Sequence, residues 1–514
     1  MTIVSHSNDS EARSRVHAAK HLIRQGVAWN AVGTAVSKAS SVIAKIILAR
    51  FLLPEHFGFI SMIVVLTSIA KIVGDLGFGL GLIQRRRDHS TKLLYDSAFW
   101  ASLASALVMI ALMWAFGARL LVWFYDEPRL GSVAVVMSTV VLFQNLQVVP
   151  ESRLVRCMRF KQLAVADISG MLVGCVTAIL LAMAGGGVWS LVAQTLVAAA
   201  CTSVVVFGFS GWRPHFRFDR TALASLWAYS RFIVGSRALL SIQQNMDYLL
   251  IGKLMGAQAL GIYSIAFLLT ETLRAQAYWL VSKAVFPFYS RAIGRDHDIR
   301  SVYLGTVRYM SVTVFPAATL LILFAPDVVP VLFRPEWIGA VVPIQILAVA
   351  SMVVASGGTP GEVLRGIGRP DLDFRINLSV ATLVAFPGLW IGVTWLGLPG
   401  AAVAVLCSLC VSRTAFLLIL RRRIGLPTPE LLRSMMHAVL GCALMVAIRM
   451  VVGGSHWPIA LVLAVAAYAA VVFPLVLPFL KGRAEPLRRS SHAADDRRVT
   501  FPAPKEEAKP CGSL

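Results

Sequence analysis

Charged side chains are what this sequence has least of. They make up 14% of its 514 residues, against the roughly 25% usual in a soluble domain. The shortage is one-sided, with 26 Asp and Glu against 48 Lys and Arg. Cysteine is sparse too: the seven cysteines lie mostly in apolar runs or on basic loops, so no disulfide framework is expected. Cys407-Ser408-Leu409-Cys410 has redox-motif spacing but sits inside an apolar helix, where packing explains it. There is no Gly-Lys-Ser/Thr phosphate loop, so ATP is not expected as an internal energy source, and no His-Glu-x-x-His, paired-Cys metal site or nucleophile elbow. Gly357-Gly358 and Gly366-Ile367-Gly368 read as helix-end flexibility rather than a phosphate cradle. No loop exceeds roughly 25 residues, which leaves no room for a separate catalytic domain outside a membrane. No apolar core follows a basic start in the manner of a cleaved leader, so the first hydrophobic helix is expected to be retained. Neither a cofactor, a metal nor an enzymatic activity is expected.

What is present is apolar sequence. Hydrophobic residues make up 57% of the chain, and runs long enough to span a hydrocarbon layer of about 30 Å recur along most of it. Backbone groups cannot go unpaired in lipid, so these runs are helices; a barrel would show alternating ten-residue segments instead. The reading is an all-α polytopic membrane protein of about 14 spans. It divides into a polar N-tail (1–26), a first lobe of six spans (27–210), a linker (211–230), a second lobe of six spans (231–420), two extra spans (421–480) and a polar, Arg/Ser/Pro-rich tail (481–514).

The formal charge of +22 does not point to nucleic acid, because the cations fall in short clusters between apolar runs. Arg85-Arg86-Arg87, Arg153/Arg156/Arg159/Lys161, Arg213/Arg217/Arg220, Arg365/Arg369/Arg375 and Arg421-Arg422-Arg423 occupy alternate loops. The intervening corners, such as Asp126-Glu127-Pro128, Gly256-Ala257-Gln258 and Gly397-Leu398-Pro399-Gly400, are short and poor in cations. That asymmetry predicts cytoplasmic basic loops and both termini in the cytoplasm. Trp29, Trp100, Trp189, Trp212, Trp337 and Trp457 fall near span ends, as an interfacial aromatic belt requires.

The chain also repeats itself. The corner running from Arg50 through Pro54 to Gly58 and Ser61 recurs 203 residues later, from Lys253 to Gly261 and Ser264, and the same shift carries Lys71 onto Arg274. Six spans precede the second copy, so the halves are parallel repeats about an axis along the membrane normal. The first span carries a polar stripe of Asn30, Thr34, Ser37/Lys38, Ser41 and Lys45; the second adds Lys71 and Asp75, spaced to pair. The later half offers Arg237, Gln244 and Asp247, then Glu271 and Arg274, while Gln144, Asn145 and Gln147 come from the fourth span. A charge at bilayer depth costs at least about 2.5–3.5 kcal/mol, so these groups should face a bundle interior or a wet cavity. Mutual pairing is one reading for Lys71–Asp75 and Glu271–Arg274; a cavity role is the other. Lys283, Arg413 and Lys45 stand nearer span ends, where snorkelling competes. Seven cations in the spans (Lys38, Lys45, Lys71, Arg237, Arg274, Lys283 and Arg413) against three acids predict a central cavity of positive charge that draws anions. The candidate substrate-binding cations are Lys38, Lys45, Lys71, Arg237 and Arg274. Asn30, Ser41, Gln144 and Gln244 are further polar lining, and Asp75, Asp247 and Glu271 are candidates for ion coupling or charge balance.

Ala49-Arg50-Phe51-Leu52-Leu53-Pro54-Glu55-His56-Phe57-Gly58, Asp75-Leu76-Gly77, the basic Arg153-Leu154-Val155-Arg156-Cys157-Met158-Arg159-Phe160, and Asp247-Tyr248-Leu249-Leu250-Ile251-Gly252-Lys253 running on to Gly261-Ile262-Tyr263-Ser264 together resemble the polysaccharide-unit flippases of the Wzx type. The likeness is to the WzxC-like branch and covers roughly residues 20–425. It implies the multidrug/oligosaccharidyl-lipid/polysaccharide exporter fold, with two six-helix lobes forming a V around a cavity. It further implies an undecaprenyl-pyrophosphate-linked saccharide as cargo, the bacterial inner membrane as location, and a polysaccharide polymerase and export machinery as partners. A lipid II flippase, a multidrug or cation antiporter of the same superfamily, and a membrane-embedded glycan polymerase or ligase are the rival readings.

Overall fold

The computed structural model describes residues 29, 33–84, 91–291, 296–453 and 456–480, and among these every regular element is helical. In the first half, α1 spans 33–48, α2 Pro54–Gly74, α3 Phe78–Gln84, α4 Thr91–Leu112, α5 Ala118–Tyr125, α6 Arg129–Leu146, α7 Val148–Arg156, α8 Phe160–Met183 and α9 Val188–Ser210. The second half holds α10 Arg220–Gln244, α11 Met246–Arg291, α12 Asp296–Leu332, α13 Val341–Ser356, α14 Pro360–Gly366, α15 Pro370–Val380 and α16 Phe386–Ile424, followed by α17 Thr428–Val452 and α18 Trp457–Leu480. Ten helical runs are long and apolar enough to cross a membrane. One of them, Pro370–Ile424, breaks at Gly397 into two passes; with α1, α10 and α18 the described chain makes fourteen. It is a multi-pass membrane protein.

Two corners that read as loops in the sequence are single-residue hinges. Gly256 (φ 82°, ψ −176°) and Gly397 (φ 63°, ψ −140°) turn the chain inside what are otherwise continuous helices. Both dihedral pairs are open to glycine and strained for other residues.

The repeat is visible as geometry. α6 gives way at Gln147 to the short α7, whose end places Met158 at φ 56° and bonds Arg159 N to Leu154 O at 2.9 Å. The same sequence of events follows 210 residues later: α13 breaks at Gly357, α14 ends with Gly368 at φ 79°, and Arg369 N bonds Leu364 O at 2.8 Å. The lobes α1–α9 and α10–α16 are thus copies, with α17 and α18 packed on α12.

One apolar core joins the copies at the corner end, where Leu52, Phe57 and Met62 meet Ile251, Tyr263 and Trp337. Towards the opposite end each lobe has cores of its own, and the N-lobe reaches the other half through α10, whose Leu226 packs with Phe78. The lobes therefore form a V closed at the corners. Trp337 departs from the expected belt: it is fully buried and stands edge-on to Phe57 at 5.2 Å, where the two lobes meet.

Candidate functional site

α2 carries Lys71 in its last turn and ends at Asp75. At 1.5 Å per residue, Lys71 lies about 25 Å along the helix from the corner at Pro54, towards the open end of the V. Here α10 crosses the first lobe: Ser230 Oγ donates to Gly77 O at 3.2 Å, and Leu226 lies over Gly81. About two turns further along α10, Arg237 Nη1 comes to 4.0 Å from Asp75 Oδ2, an ion pair between the lobes. Asp75 Oδ1 also accepts from Gly79 N at 3.3 Å. Lys71, Asp75, Gly79 and Arg237 line a chamber of about 260 Å³ together with Gln144, Asn145, Gln147, Glu151, Ser152 and apolar neighbours. A second chamber, about 180 Å³, shares Gln147, Glu151 and Val155 with it and adds Thr34, Asp167 and Thr202.

The structure thus brings together Lys71, Asp75, Gln144 and Arg237, and leaves the other candidates elsewhere. Asn30 lies outside the described residues. Lys38 is exposed, while Ser41 and Lys45 are half-buried on α1, with Lys45 within electrostatic reach of Cys175 on α8; none of the three lines either chamber. Gln244 is exposed. Asp247 is buried at the corner end, accepting from Tyr263 Oη at 2.9 Å and from Tyr248 N at 2.9 Å, away from both chambers. Glu271 and Arg274 pair with each other, one of the two readings open to them. Arg413 does not snorkel: it packs against Gly357 inside the second lobe, with its Nε unpartnered. The side chain of Lys283 is not among those described.

Two expectations need correction. Lys71 is not bonded to Asp75 on its own helix; Asp75 turns instead to Arg237 of the other lobe. The larger chamber also holds an acid that the expectation left out, since Lys71 and Arg237 share it with Asp75 and Glu151, two basic and two acidic side chains. The sequence count missed Glu151 and Asp167 because it assigned the first to a loop and passed over the second, whereas both project from helices into the chambers. Glu362 was missed in the same way. It is buried in the second lobe, where it accepts from Ser282 Oγ at 2.5 Å and from Arg365 Nη2 at 3.0 Å. The signal was present in the repeat: Ser152 Oγ bonds Gly79 O, and the positions 210 and 203 residues on are Glu362 and Ser282.

Fold and chamber define a two-lobed, pseudo-symmetric polytopic protein of the transporter kind. The protein-family model described as polysaccharide biosynthesis protein matches residues 47–342, more than half of the chain, and the chain belongs to that family. Among curated relatives, the succinoglycan biosynthesis transport protein ExoT of Rhizobium meliloti is 26% identical over 76% of this chain and 77% of its own. The teichuronic acid biosynthesis protein TuaB of Bacillus subtilis is 22% identical over 70% and 74%, and the lipopolysaccharide biosynthesis protein WzxC of Escherichia coli 20% over 74% and 77%. Of solved structures, the inward closed conformation of the lipid II flippase MurJ superposes with a TM-score of 0.72 at 11% identity, covering 88% of this chain and 99% of that one. An inward-facing multidrug resistance MATE family transporter gives 0.62 at 16% identity, over 76% and 94%. These structures share the fold.

Proposed function

We propose that the chain moves saccharide units linked to undecaprenyl pyrophosphate from the cytoplasmic to the periplasmic leaflet of a bacterial inner membrane, without catalysing a covalent step. In this reading both termini and the basic loops are cytoplasmic, and the V opens to the cytoplasm. A polysaccharide polymerase and export machinery receive the cargo on the far side. The observation that carries the reading is a hydrogen-bonding chamber between membrane-spanning helices, with the Asp75–Arg237 pair spanning two halves that repeat each other. Charge carried on membrane-spanning helices marks a pathway, and two packed lobes joined at one end are the machinery of rocking motion. The names of ExoT, TuaB and WzxC agree with it.

The test is complementation of a deletion strain. Wild-type protein should restore polymer secretion, while Asp75→Asn combined with Arg237→Gln should leave the protein in the membrane and lower secretion at least tenfold. Lipid-linked units should accumulate. Secretion equal to wild type in the double variant would remove this mechanism, and cell-wall defects in the deletion strain would favour lipid II as cargo.

A further inference from the structure

The chamber presents more buried acceptors than the protein itself satisfies. Asn145 is 1% exposed; its Nδ2 donates to Val141 O at 2.8 Å, but its Oδ1 has no partner. Two residues on, at the break between α6 and α7, Gln147 Oε1 is likewise buried and unpartnered. Both residues line the chamber, with Gln144 beside them. An unsatisfied buried polar atom costs about 1–3 kcal/mol, and such atoms are rare enough in native proteins that each calls for an explanation.

The chemistry of the lining says what completes them. Lys71 and Arg237 are matched by the carboxyl groups of Asp75 and Glu151, so the lining does not present the one-signed set of side chains that would single out a pyrophosphate or a bare cation. Among the described residues no group of three or more His, Cys, Asp or Glu is placed to hold a metal ion. What remains is a ligand that is uncharged, brings several donors to the amide and carboxylate oxygens, and accepts from Lys71 and Arg237. A hydroxyl is both donor and acceptor, with one proton and two lone pairs, and a sugar ring carries several. Drug-sized ligands take sites of about 300–1,000 Å³; at about 260 Å³ the chamber is of a size to take one ring.

We propose that this chamber is a saccharide subsite. It holds one uncharged sugar ring of the cargo through Gln144, Asn145, Gln147 and the four charged side chains, and the pyrophosphate is held elsewhere. The assignment rests on the export reading above and gives its chamber a ligand.

The test uses full-length protein in lipid nanodiscs, titrated with undecaprenyl pyrophosphate and with the same lipid carrying one glucose or one galactose. At least one glycosylated probe should bind about tenfold tighter than the bare lipid, a difference of about 1.4 kcal/mol. Gln147→Met, which keeps the length of the side chain and removes its oxygen, should erase that advantage and leave the affinity for bare lipid unchanged. Asn145→Leu should do the same. Should either variant fail to purify as a monodisperse species, Gln144→Leu carries the comparison. A variant that weakens bare and glycosylated lipid equally would make this a pyrophosphate site, and no advantage for either sugar in the wild type would also overturn the assignment. Failure of every probe to bind, bare lipid included, would count against the export reading itself.

Discussion

Gly58 and Gly261 occupy equivalent positions in the two copies, and each faces backbone of the opposite copy. A methyl group on Gly58 would collide with the carbonyl of Ala257, and one on Gly261 with that of Pro54 and with Gly58 N. Pro54 and Ala257 are themselves 203 residues apart, so the pseudo-twofold axis passes through this contact. Substituting Ala at either glycine must push α2 and α11 apart at the closed end of the V. Overpacking of that kind typically costs about 1–3 kcal/mol, and the expected result is a lower unfolding temperature for the detergent-purified protein. Gly208 lies on α9 with nothing near its missing Cβ. There Ala should be neutral or slightly stabilising, since Gly costs a helix roughly 0.8–1.0 kcal/mol relative to Ala. Equal behaviour of Gly58→Ala and Gly208→Ala would show that the crossing is looser than its geometry.

At the scale of elements, the corners close by two latches that mirror each other. Arg50, between α1 and α2, donates from Nε to Leu332 O at 2.9 Å and from Nη2 to Val331 O, capping the carbonyl end of α12 in the other lobe. Lys253, its equivalent on α11, reaches back to Asp126 Oδ2 at 2.7 Å just past α5, with Phe124 beneath it at 5.7 Å. Each cation thus crosses to the end of the third span of the opposite copy. Exposed pairs contribute only about 0.2–1 kcal/mol each, so the core around Phe57 and Trp337, not the latches, holds the protein folded. Arg50→Ala with Lys253→Ala should therefore leave unfolding nearly unchanged but loosen the corners. Hydrogen exchange should quicken in 49–60 and 252–263 and nowhere else; protection identical to wild type there would remove the latch role.

On the scale of the whole molecule, the spans and corners were legible because apolar length and glycine placement are local properties. The apolar runs over 164–184 and 188–210 fold as α8 and α9, and the hinges at Gly256 and Gly397 fall in predicted corners. The parallel repeat was legible for the same reason, through Arg50, Gly58 and Ser61. The site was legible only in part. Lys71, Asp75, Gln144 and Arg237 were found because a charge or amide in an apolar run stands out. Their partners were not, because which lobe Asp75 faces depends on where α10 crosses α2 and α3, and periodicity along one helix carries no information about crossings. Glu151 was hidden by its place beside a basic cluster, where a loop explained it equally well. The closed corners have a consequence for motion. If the lobes rock, the chamber can open to the far leaflet only by parting Arg50 from α12, Lys253 from Asp126, and Phe57 from Trp337. In a background with the native cysteines replaced, Asp126→Cys with Lys253→Cys should be bridged by a short, reducible bis-methanethiosulfonate cross-linker that fixes the corner shut. Polymer secretion should then stop and return on reduction, while each single cysteine variant secretes normally under both conditions. Continued secretion by the cross-linked protein would mean that the corner stays closed throughout the cycle and that cargo leaves by another route.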